Sequence, residues 1–451
     1  MKADNKKVCL ERRYYYFSER YCMNEYIKKI VNNSVVYNGL WLMILQGVNT
    51  ILPMITIPYI TRILGAEGYG IFSAAQNWIF YLQVIVEYGF GLWGARKVAL
   101  IKDDDTEEIS EIFSEILNAR IILCILSFIL MCTISAIANI SIDRFICQII
   151  LYAMIIGSML QLIWLFQGKE NMKPITIINI ISRIISVLLI FIFVKNKSDI
   201  YAYTFFYSIT YIISALLTIR VAKKKYNIRY IHVGIGSIFT VLKEAWYIFL
   251  SSALIKVFSG IALSILTIVS SNYYIGVYSA IYKIPYILVM AFSPISQALY
   301  PSISKKYKSS FNEGVKFVEK ITLPIVALFT IISIVIILLK DIIVKIAFGS
   351  EYVLYSSIIF FLLIQTIFAI YNNFLGVQTL VASGNQKNYS RAFSRAAIFM
   401  GSIYLLVFIL FDGEKALYAV SIGSAISESI LTIFLHIEKK LVLKKYLICK
   451  E

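Results

Sequence analysis

Long apolar stretches alternate with short charged segments along the chain, from residue 38 to residue 437. A helix of roughly 20 apolar residues spans the ~30 Å hydrocarbon core of a bilayer. The pattern therefore predicts an all-α integral membrane protein with twelve transmembrane helices. The predicted spans are Asn38–Ile60, Ala75–Lys97, Asn118–Asn139, Phe145–Gln167, Pro174–Val194, Ile200–Val221, Val241–Val269, Val277–Pro301, Ile321–Leu339, Leu354–Ala382, Phe393–Phe411 and Lys415–Ile437.

Composition agrees with a membrane location. Hydrophobic residues make up 59% of the 451 residues and charged residues 15%, with a mean hydropathy of +0.77. A soluble protein of this length needs far more polar surface. The six cysteines form no CxxC pair, the two histidines fit no metal-ligand spacing, and no phosphate-binding Walker loop is present. The sequence therefore predicts no cofactor.

Basic residues are distributed unequally between the two sides of the predicted membrane. The formal net charge is +17, and of the 43 lysines and arginines 33 fall on the side of the termini and 7 on the other side. Basic loops face the cytoplasm, so both termini are predicted to be cytoplasmic. This explains the positive charge without a nucleic-acid partner.

The spans divide into two sets of six, and a basic segment that contains Lys223, Lys224 and Lys225 separates them. Residues 1–22 precede Met23, which resembles a normal start, so they are predicted to be dispensable or extraneous. The predicted organisation is an N-terminal tail (1–37), a first lobe (38–221), a linker (222–240), a second lobe (241–438) and a basic tail (439–451).

A short motif occurs once in each half. Gly70–Ala75 reads GIFSAA after the first span, and Gly276–Ile281 reads GVYSAI after the seventh. In both, glycine permits a close approach to a neighbouring helix. Six spans per half give the halves the same orientation, as in transporters whose parallel repeats are related by an axis along the membrane normal. Chance similarity between two apolar stretches is the alternative.

Ionisable residues within the spans are the strongest indication of function, because each costs about 2.5–3.5 kcal/mol at the bilayer centre. They are Glu87, Arg183, Lys256, Lys283 and Glu428. One interpretation is a static ion pair such as Glu87 with Arg183. The other is a cavity between the halves, lined by Arg183, Lys256 and Lys283, that attracts an anionic substrate. Amides within the spans, including Asn49 and Asn372, either bond neighbouring helices or contact a sugar.

Four strings in the predicted spans are informative: Pro53–Gly70, Glu87–Phe90, Trp164–Glu170 and Asn372–Gln378. Together they resemble the polysaccharide-biosynthesis flippases, the O-antigen repeat-unit translocases of the multidrug/oligosaccharidyl-lipid/polysaccharide exporter superfamily. They occur in the family's order, and the resemblance covers about residues 38–437. The run Gly91–Arg96 departs from the family pattern except at Ala95 and Arg96, and residues 1–22 have no counterpart.

The resemblance implies a two-lobed bundle around a central cavity that works by alternating access. The implied substrate is an oligosaccharide on undecaprenyl pyrophosphate in the bacterial inner membrane, and a polysaccharide polymerase and a chain-length regulator are candidate partners. The candidate substrate-binding residues are Arg183, Lys256, Lys283, Arg62, Asn49 and Asn372. Glu87 and Glu428 are the candidates for charge balance or for coupling to H⁺ or Na⁺.

Three alternatives stay open at this point. A drug–cation antiporter on the same fold would be expected to have an acidic cavity. A lipid II flippase would commonly carry more than twelve helices. A membrane polymerase or ligase would be expected to place acids, arginines or histidines in a large outer loop. The longest outer loop predicted here is residues 61–74, which leaves little room for an external active site.

Overall fold

The computed structural model describes residues 34–102 and 105–448, and nearly all of them are helical. The α-helices are α1 Ser34–Glu87, α2 Phe90–Ala99, α3 Thr106–Ile137, α4 Ile142–Leu160, α5 Ile163–Gly168, α6 Met172–Phe193, α7 Ile200–Tyr226, α8 Ile235–Val269, α9 Asn272–Ile281, α10 Lys283–Ser309, α11 Phe311–Leu338, α12 Lys340–Phe348, α13 Ile358–Leu375, α14 Gln386–Leu410 and α15 Gly413–Ile448. Short 3-10 turns occur at Lys197–Asp199 and Ser350–Tyr355, and a π-helical segment occurs at Gly376–Val381. The prediction for residues 1–22 lies outside the described residues.

Eleven helical segments of the described chain are long and apolar enough to cross a bilayer. The first segment, Tyr37–Ala99, contains a non-helical residue, Gly65, with φ 69° and ψ 178°. Gly65 divides α1 into two passes, which we name α1a (34–64) and α1b (66–87). The prediction of twelve transmembrane helices is therefore confirmed.

The prediction of an outer loop at residues 61–74 is wrong. The helix continues to residue 64 and resumes at residue 66, nine residues before the predicted second span. Glycine has no Cβ, so Gly65 adopts the positive φ without steric penalty and turns the chain within one residue. The helices extend past the apolar stretch because residues 66–75 pack against α9 instead of lying in a solvated loop.

Several spans are broken within their length. Tyr88 and Gly89 separate α1b from α2, Gln161 and Leu162 separate α4 from α5, and the π-helical segment Gly376–Val381 follows α13. Broken helices at membrane depth expose backbone groups that other parts of the protein must satisfy. At the α4–α5 break Arg120 does this, since its Nη1 donates to the carbonyl oxygens of Met159 at 3.0 Å and Gln161 at 3.3 Å.

The helices form two lobes with α8 between them. In the first half α4 packs on α7 and α1, and α6 packs on α7. In the second half α13 and α14 pack on α15, and α10 packs on α11. Helix α8 contacts α1 and α3 of the first half and also α14 and α15 of the second. This architecture matches the predicted arrangement of two six-helix lobes.

The two ends of the bundle differ in charge. Helices α7, α10 and α15 finish with lysines at one end, which we name the basic end. The turn at Gly65 and the connections at residues 138–141, 194–199 and 339–357 lie at the other end, which we name the opposite end. This asymmetry gives every site in the bundle a position along the predicted membrane normal.

Candidate functional site

A cavity of about 1160 Å³ lies between the two halves. Helix α1b forms one wall with Ser73, Gln76, Asn77 and Phe80. Helices α8, α9, α10, α13, α14 and α15 form the others, so the second half supplies most of the surface. The cavity reaches Gln386 in the first turn of α14, at the basic end.

The lining combines aromatic rings with amides and hydroxyls. The aromatic residues are Phe80, Phe258, Tyr278, Tyr282, Tyr286, Tyr389, Phe393 and Tyr404, and the amides are Gln76, Asn77, Gln365 and Gln386. Two buried polar atoms in the lining, Ser279 Oγ and Gln365 Oε1, have no hydrogen-bond partner within the described residues. Buried polar atoms are normally paired, so these two indicate that water or a ligand completes the site.

Lys283 and Glu428 are the charged residues that line this cavity. Glu428 lies on α15, and the nearby rings of Tyr282, Tyr389 and Tyr404 interact electrostatically with it. Lys283 is the first residue of α10, and it forms no hydrogen bond or ion pair with any residue that the structure describes. The cavity therefore presents one unpaired cation and one carboxylate to whatever enters it.

Asn372 lies behind the cavity wall and holds Glu428 in place. Its Nδ2 donates to Glu428 Oε2 at 2.8 Å and to the Glu428 carbonyl at 3.0 Å. Its Oδ1 accepts a hydrogen bond from Thr432 at 2.7 Å. Asn372, predicted to contact substrate, is thus placed as a buried residue that fixes the orientation of the Glu428 carboxylate.

Glu87 lies at the end of α1b in a separate cluster of charges. Gln83 donates to its Oε1 at 2.8 Å, and the cations within electrostatic range are Arg120 and Lys256. The Nζ of Lys256 lies 4.5 Å from the centre of the Phe80 ring, whose side chain lines the cavity. No ion pair joins Glu87 to Arg183 among the described residues.

The sequence pattern missed Arg120, which was counted among the basic residues on the side of the termini although it falls just inside the third predicted span. Its side chain is 4% exposed, and its guanidinium lies 5.8 Å from the Phe90 ring. Helix α3 begins at Thr106, so Arg120 is four turns into a helix and not at its start. The signal for it was its position next to the strongly apolar run Ile121–Ile125.

The other predicted site residues lie away from the cavity lining in this conformation. Arg183 is half-buried on α6 near Tyr207 and forms no hydrogen bond or ion pair within the described chain. Asn49 is half-buried on α1a, with its Oδ1 unpaired. Arg62 lies at the opposite end, where its Nη2 donates to the carbonyl oxygen of Ile346.

The two motif glycines close the opposite end of the cavity. A Cβ at Gly70 would lie 1.7 Å from the carbonyl oxygen of Asn272 and 2.9 Å from the nitrogen of Gly276. A Cβ at Gly276 would lie 1.8 Å from the carbonyl oxygen of Ala66. The repeated segments therefore meet backbone to backbone, and any larger residue would force them apart.

Polar contacts between the halves reinforce this closure. The backbone N–H of Ala66 donates to Glu351 Oε2 at 3.2 Å, and the hydroxyl of Tyr352 donates to the carbonyl oxygen of Thr61 at 3.4 Å. Arg144 on α4 donates through Nε to Asn272 Oδ1 at 2.6 Å. All of these contacts lie at the opposite end, whereas the cavity extends towards the basic end.

A buried acid at the basic end has a structural role. Glu438 is fully buried on α15 and forms ion pairs with Arg391 at 3.6 Å and Arg395 at 3.2 Å, both on α14. Asn388 Nδ2 also donates to it at 2.6 Å. These contacts join α14 to α15. Because the Glu438 carboxylate is paired within the protein, it is not available to bind a substrate.

Comparisons by sequence place the chain among polysaccharide biosynthesis proteins. Residues 35–307 match the family model described as "Polysaccharide biosynthesis protein". A "Putative O-antigen transporter" of Escherichia coli (strain K12) is 28% identical over 411 residues, which is 90% of this chain and 97% of that protein. One with the same description from Shigella dysenteriae is 31% identical over 369 residues, 80% of this chain and 90% of that protein.

Solved structures share the fold at low sequence identity. The lipid II flippase MurJ in an inward closed conformation matches with a TM-score of 0.72 at 14% identity, over 90% of this chain and 87% of that one. An inward-facing multidrug resistance MATE family transporter of the MOP superfamily matches with a TM-score of 0.58 at 14% identity, over 88% and 99%. At this identity the likeness concerns the fold alone, and it confirms the predicted architecture.

Proposed function

Because the chain belongs to the polysaccharide biosynthesis protein family, we propose that it carries lipid-linked oligosaccharide repeat units across the bacterial inner membrane. The proposed cargo is a short oligosaccharide on undecaprenyl pyrophosphate, destined for O-antigen, capsule or exopolysaccharide. Relatives that are named as O-antigen transporters support this proposal, as does a fold shared with a lipid II flippase.

The observation that carries the proposal is the composition of the central cavity. Its tyrosines and phenylalanines offer flat apolar faces, and its amides and serines offer donors and acceptors. Sugars present both apolar faces and hydroxyl groups, so this mixture suits an oligosaccharide better than a purely apolar drug. The unpaired Ser279 Oγ and Gln365 Oε1 supply further polar contacts for a sugar.

The pyrophosphate of the proposed cargo is negatively charged, so we expect a cationic side chain in the cavity to bind it. Lys283 is our candidate because it faces the cavity and lacks a carboxylate partner within the described residues. An ammonium group desolvated in this way gains from a phosphate partner. Glu428 on α15, which also lines the cavity, and Glu87, which lies within electrostatic range of Lys256, are the proposed residues for charge balance or for coupling to H⁺ or Na⁺. Arg183 and Lys256 stay predicted ligands, for a conformation in which they line the path.

The pattern of closure supports alternating access. The halves touch backbone to backbone at Gly70 and Gly276, while the cavity reaches Gln386 at the basic end. If the basic end is cytoplasmic, this conformation receives cargo from the cytoplasm. Separation of the two glycines would then open the same cavity towards the periplasm, while the lipid tail stays in the bilayer.

The balance of charge in the cavity argues against a drug–cation antiporter. Such a transporter needs excess negative charge to bind cationic drugs, and here Lys283 offsets Glu428. A polysaccharide polymerase and a chain-length regulator are the proposed downstream partners. They would act on the cargo after it reaches the outer face.

Topology supplies the first test. Reporter fusions after Ser198 and after Lys225 should report the periplasm and the cytoplasm respectively, because α7 separates these positions and the basic end is predicted to be cytoplasmic. Alkaline phosphatase and a fluorescent protein that folds only in the cytoplasm provide the two readouts. The same compartment for both fusions would contradict the predicted orientation.

Deletion of the gene in its host tests the function itself. We expect surface polysaccharide to disappear and lipid-linked repeat units to accumulate in the membrane, inaccessible to glycosidases added outside the cells. A strain that lacks the polymerase provides the control, because it still exports single repeat units. Externally accessible repeat units in the deletion strain would contradict the proposal.

A further inference from the structure

A second cavity lies at the opposite end, between α1b, the α3–α4 connection and the start of α9. Its volume is about 390 Å³, within the roughly 300–1,000 Å³ of small-molecule sites. It shares no lining residue with the central cavity. Nothing in the transport scheme above uses it.

Two opposite charges lie in the lining of this second cavity. Arg144 uses two N–H groups, one to Asn272 Oδ1 at 2.6 Å and one to the Thr267 carbonyl at 3.2 Å. A guanidinium has five donors, so three remain for a ligand. Glu67 is exposed and makes no hydrogen bond or ion pair with the residues described. The cavity can therefore bind a ligand that carries both an anionic group, which would contact Arg144, and a cationic group, which would contact Glu67.

Apolar side chains form another part of the lining. Leu82 lies fifteen residues beyond Glu67 on α1b, which is about 22 Å along a helix axis. Trp78, Met131 and Ile134 also line the cavity. The Oγ of Ser135, another lining residue, donates to Gln148 Oε1 at 2.8 Å, so this hydroxyl is satisfied within the protein. Ile268 also lines the cavity and is 59% exposed on the outer surface of the bundle, so the wall borders the surface that faces lipid.

We propose that this cavity binds a phospholipid whose headgroup carries both a phosphate and a primary ammonium, as phosphatidylethanolamine does. The phosphate pairs with the free donors of Arg144, and the ammonium pairs with Glu67. The part of one acyl chain that is next to the headgroup lies along Trp78 and Leu82. A purely anionic lipid would leave Glu67 unpaired and repel it, and a quaternary ammonium has no N–H to donate.

The bound lipid would join the two halves. Glu67 and Arg144 belong to the first half, whereas Thr267 and Asn272 belong to the second. Because residues of both halves line the cavity, a headgroup there stabilises the conformation in which the opposite end is closed. The lipid then acts on the conformational equilibrium without entering the transport path.

Native mass spectrometry of the purified full chain tests this inference. Equal amounts of phosphatidylethanolamine, phosphatidylcholine and phosphatidylglycerol are added, and the retained lipid is counted. We expect phosphatidylethanolamine to be retained preferentially. Glu67→Gln should weaken its binding about tenfold, the effect of one lost charge-assisted contact. Glu414→Gln is the matched control, since Glu414 is an exposed acid in the first turn of α15 at the same end and does not line the cavity.

Reversal of the charge at residue 67 distinguishes loss of a specific contact from general damage to the protein, because it predicts a gain of binding for another lipid. Glu67→Lys should shift the preference to phosphatidylglycerol, because two cations then face the headgroup. Equal retention of phosphatidylethanolamine by wild type and Glu67→Gln would overturn the proposal. So would displacement of the lipid by free oligosaccharide, which would identify the cavity as a sugar site.

Discussion

Gly70→Ala is expected to abolish polysaccharide export while leaving the amount of protein in the membrane unchanged. The new Cβ would lie 1.7 Å from the carbonyl oxygen of Asn272 and 2.9 Å from the nitrogen of Gly276. Both contacts are with backbone, so no side-chain rotation relieves them. Real Cβ atoms do not approach backbone atoms this closely, so the two segments must separate. A shift of roughly 5.5 kcal/mol against the closed state would move a two-state population from 99:1 to 1:99. The opposite end therefore cannot close, and the cycle stops.

Two further variants and one distance measurement complete this test. Gly276→Ala should reproduce the loss, because its Cβ would lie 1.8 Å from the Ala66 carbonyl oxygen. Gly401→Ala on α14 is the matched control, since nothing lies within 4 Å of its Cβ. Spin labels at Ser198 and Asp412, which are exposed at the opposite end of the two halves, should be farther apart in Gly70→Ala than in wild type. Normal export by Gly70→Ala would show that this contact does not form in the cycle.

Lys283→Met is expected to reduce export at least tenfold without lowering protein level. Lys283 has no polar partner among the described residues, so its replacement by the similarly long methionine breaks no hydrogen bond or ion pair within the described part of the fold. Loss of one charge-assisted contact to a phosphate is enough to weaken substrate binding about tenfold. Lys283→Arg should keep part of the activity, because the charge is retained on a differently shaped group. Export is measured as surface polysaccharide, and protein level by immunoblot of membranes.

Arg395→Met provides the contrasting case. Arg395 pairs with the fully buried Glu438, so its loss leaves a buried carboxylate with only Arg391 and Asn388 as partners. Because the Arg395 side chain is 47% exposed, we expect a cost below the roughly 3–5 kcal/mol of a fully buried pair. This variant should therefore lower protein level, and export should fall in proportion. Arg183→Met and Lys256→Met belong in the same assay, since both are predicted ligands outside the present cavity lining. Full export by Lys283→Met at normal protein level would exclude Lys283 as a substrate ligand.

Much of the architecture followed from local sequence. The number of spans could be counted because burial in lipid requires about 20 contiguous apolar residues for each pass. The repeated Gly70 and Gly276 motifs were recognisable because glycine at equivalent positions in two halves indicates a close approach. Lys283 and Glu428 were identified as candidates because charge within an apolar span is costly. Each inference needed only the order of residues along the chain, read locally or compared between the two halves.

The tertiary structure alone decided which of these residues act together. Hydropathy is summed along the chain, and it does not determine how far each helix is rotated about its axis or where it crosses another. That rotation places Lys283 in the cavity lining and Arg183 outside it, and it surrounds Glu87 with Arg120 and Lys256. It also brings Gly70 against Gly276 across 206 residues of sequence. The sequence by itself determined a twelve-span protein with a few costly charges, and packing between distant helices decided which of them form a site.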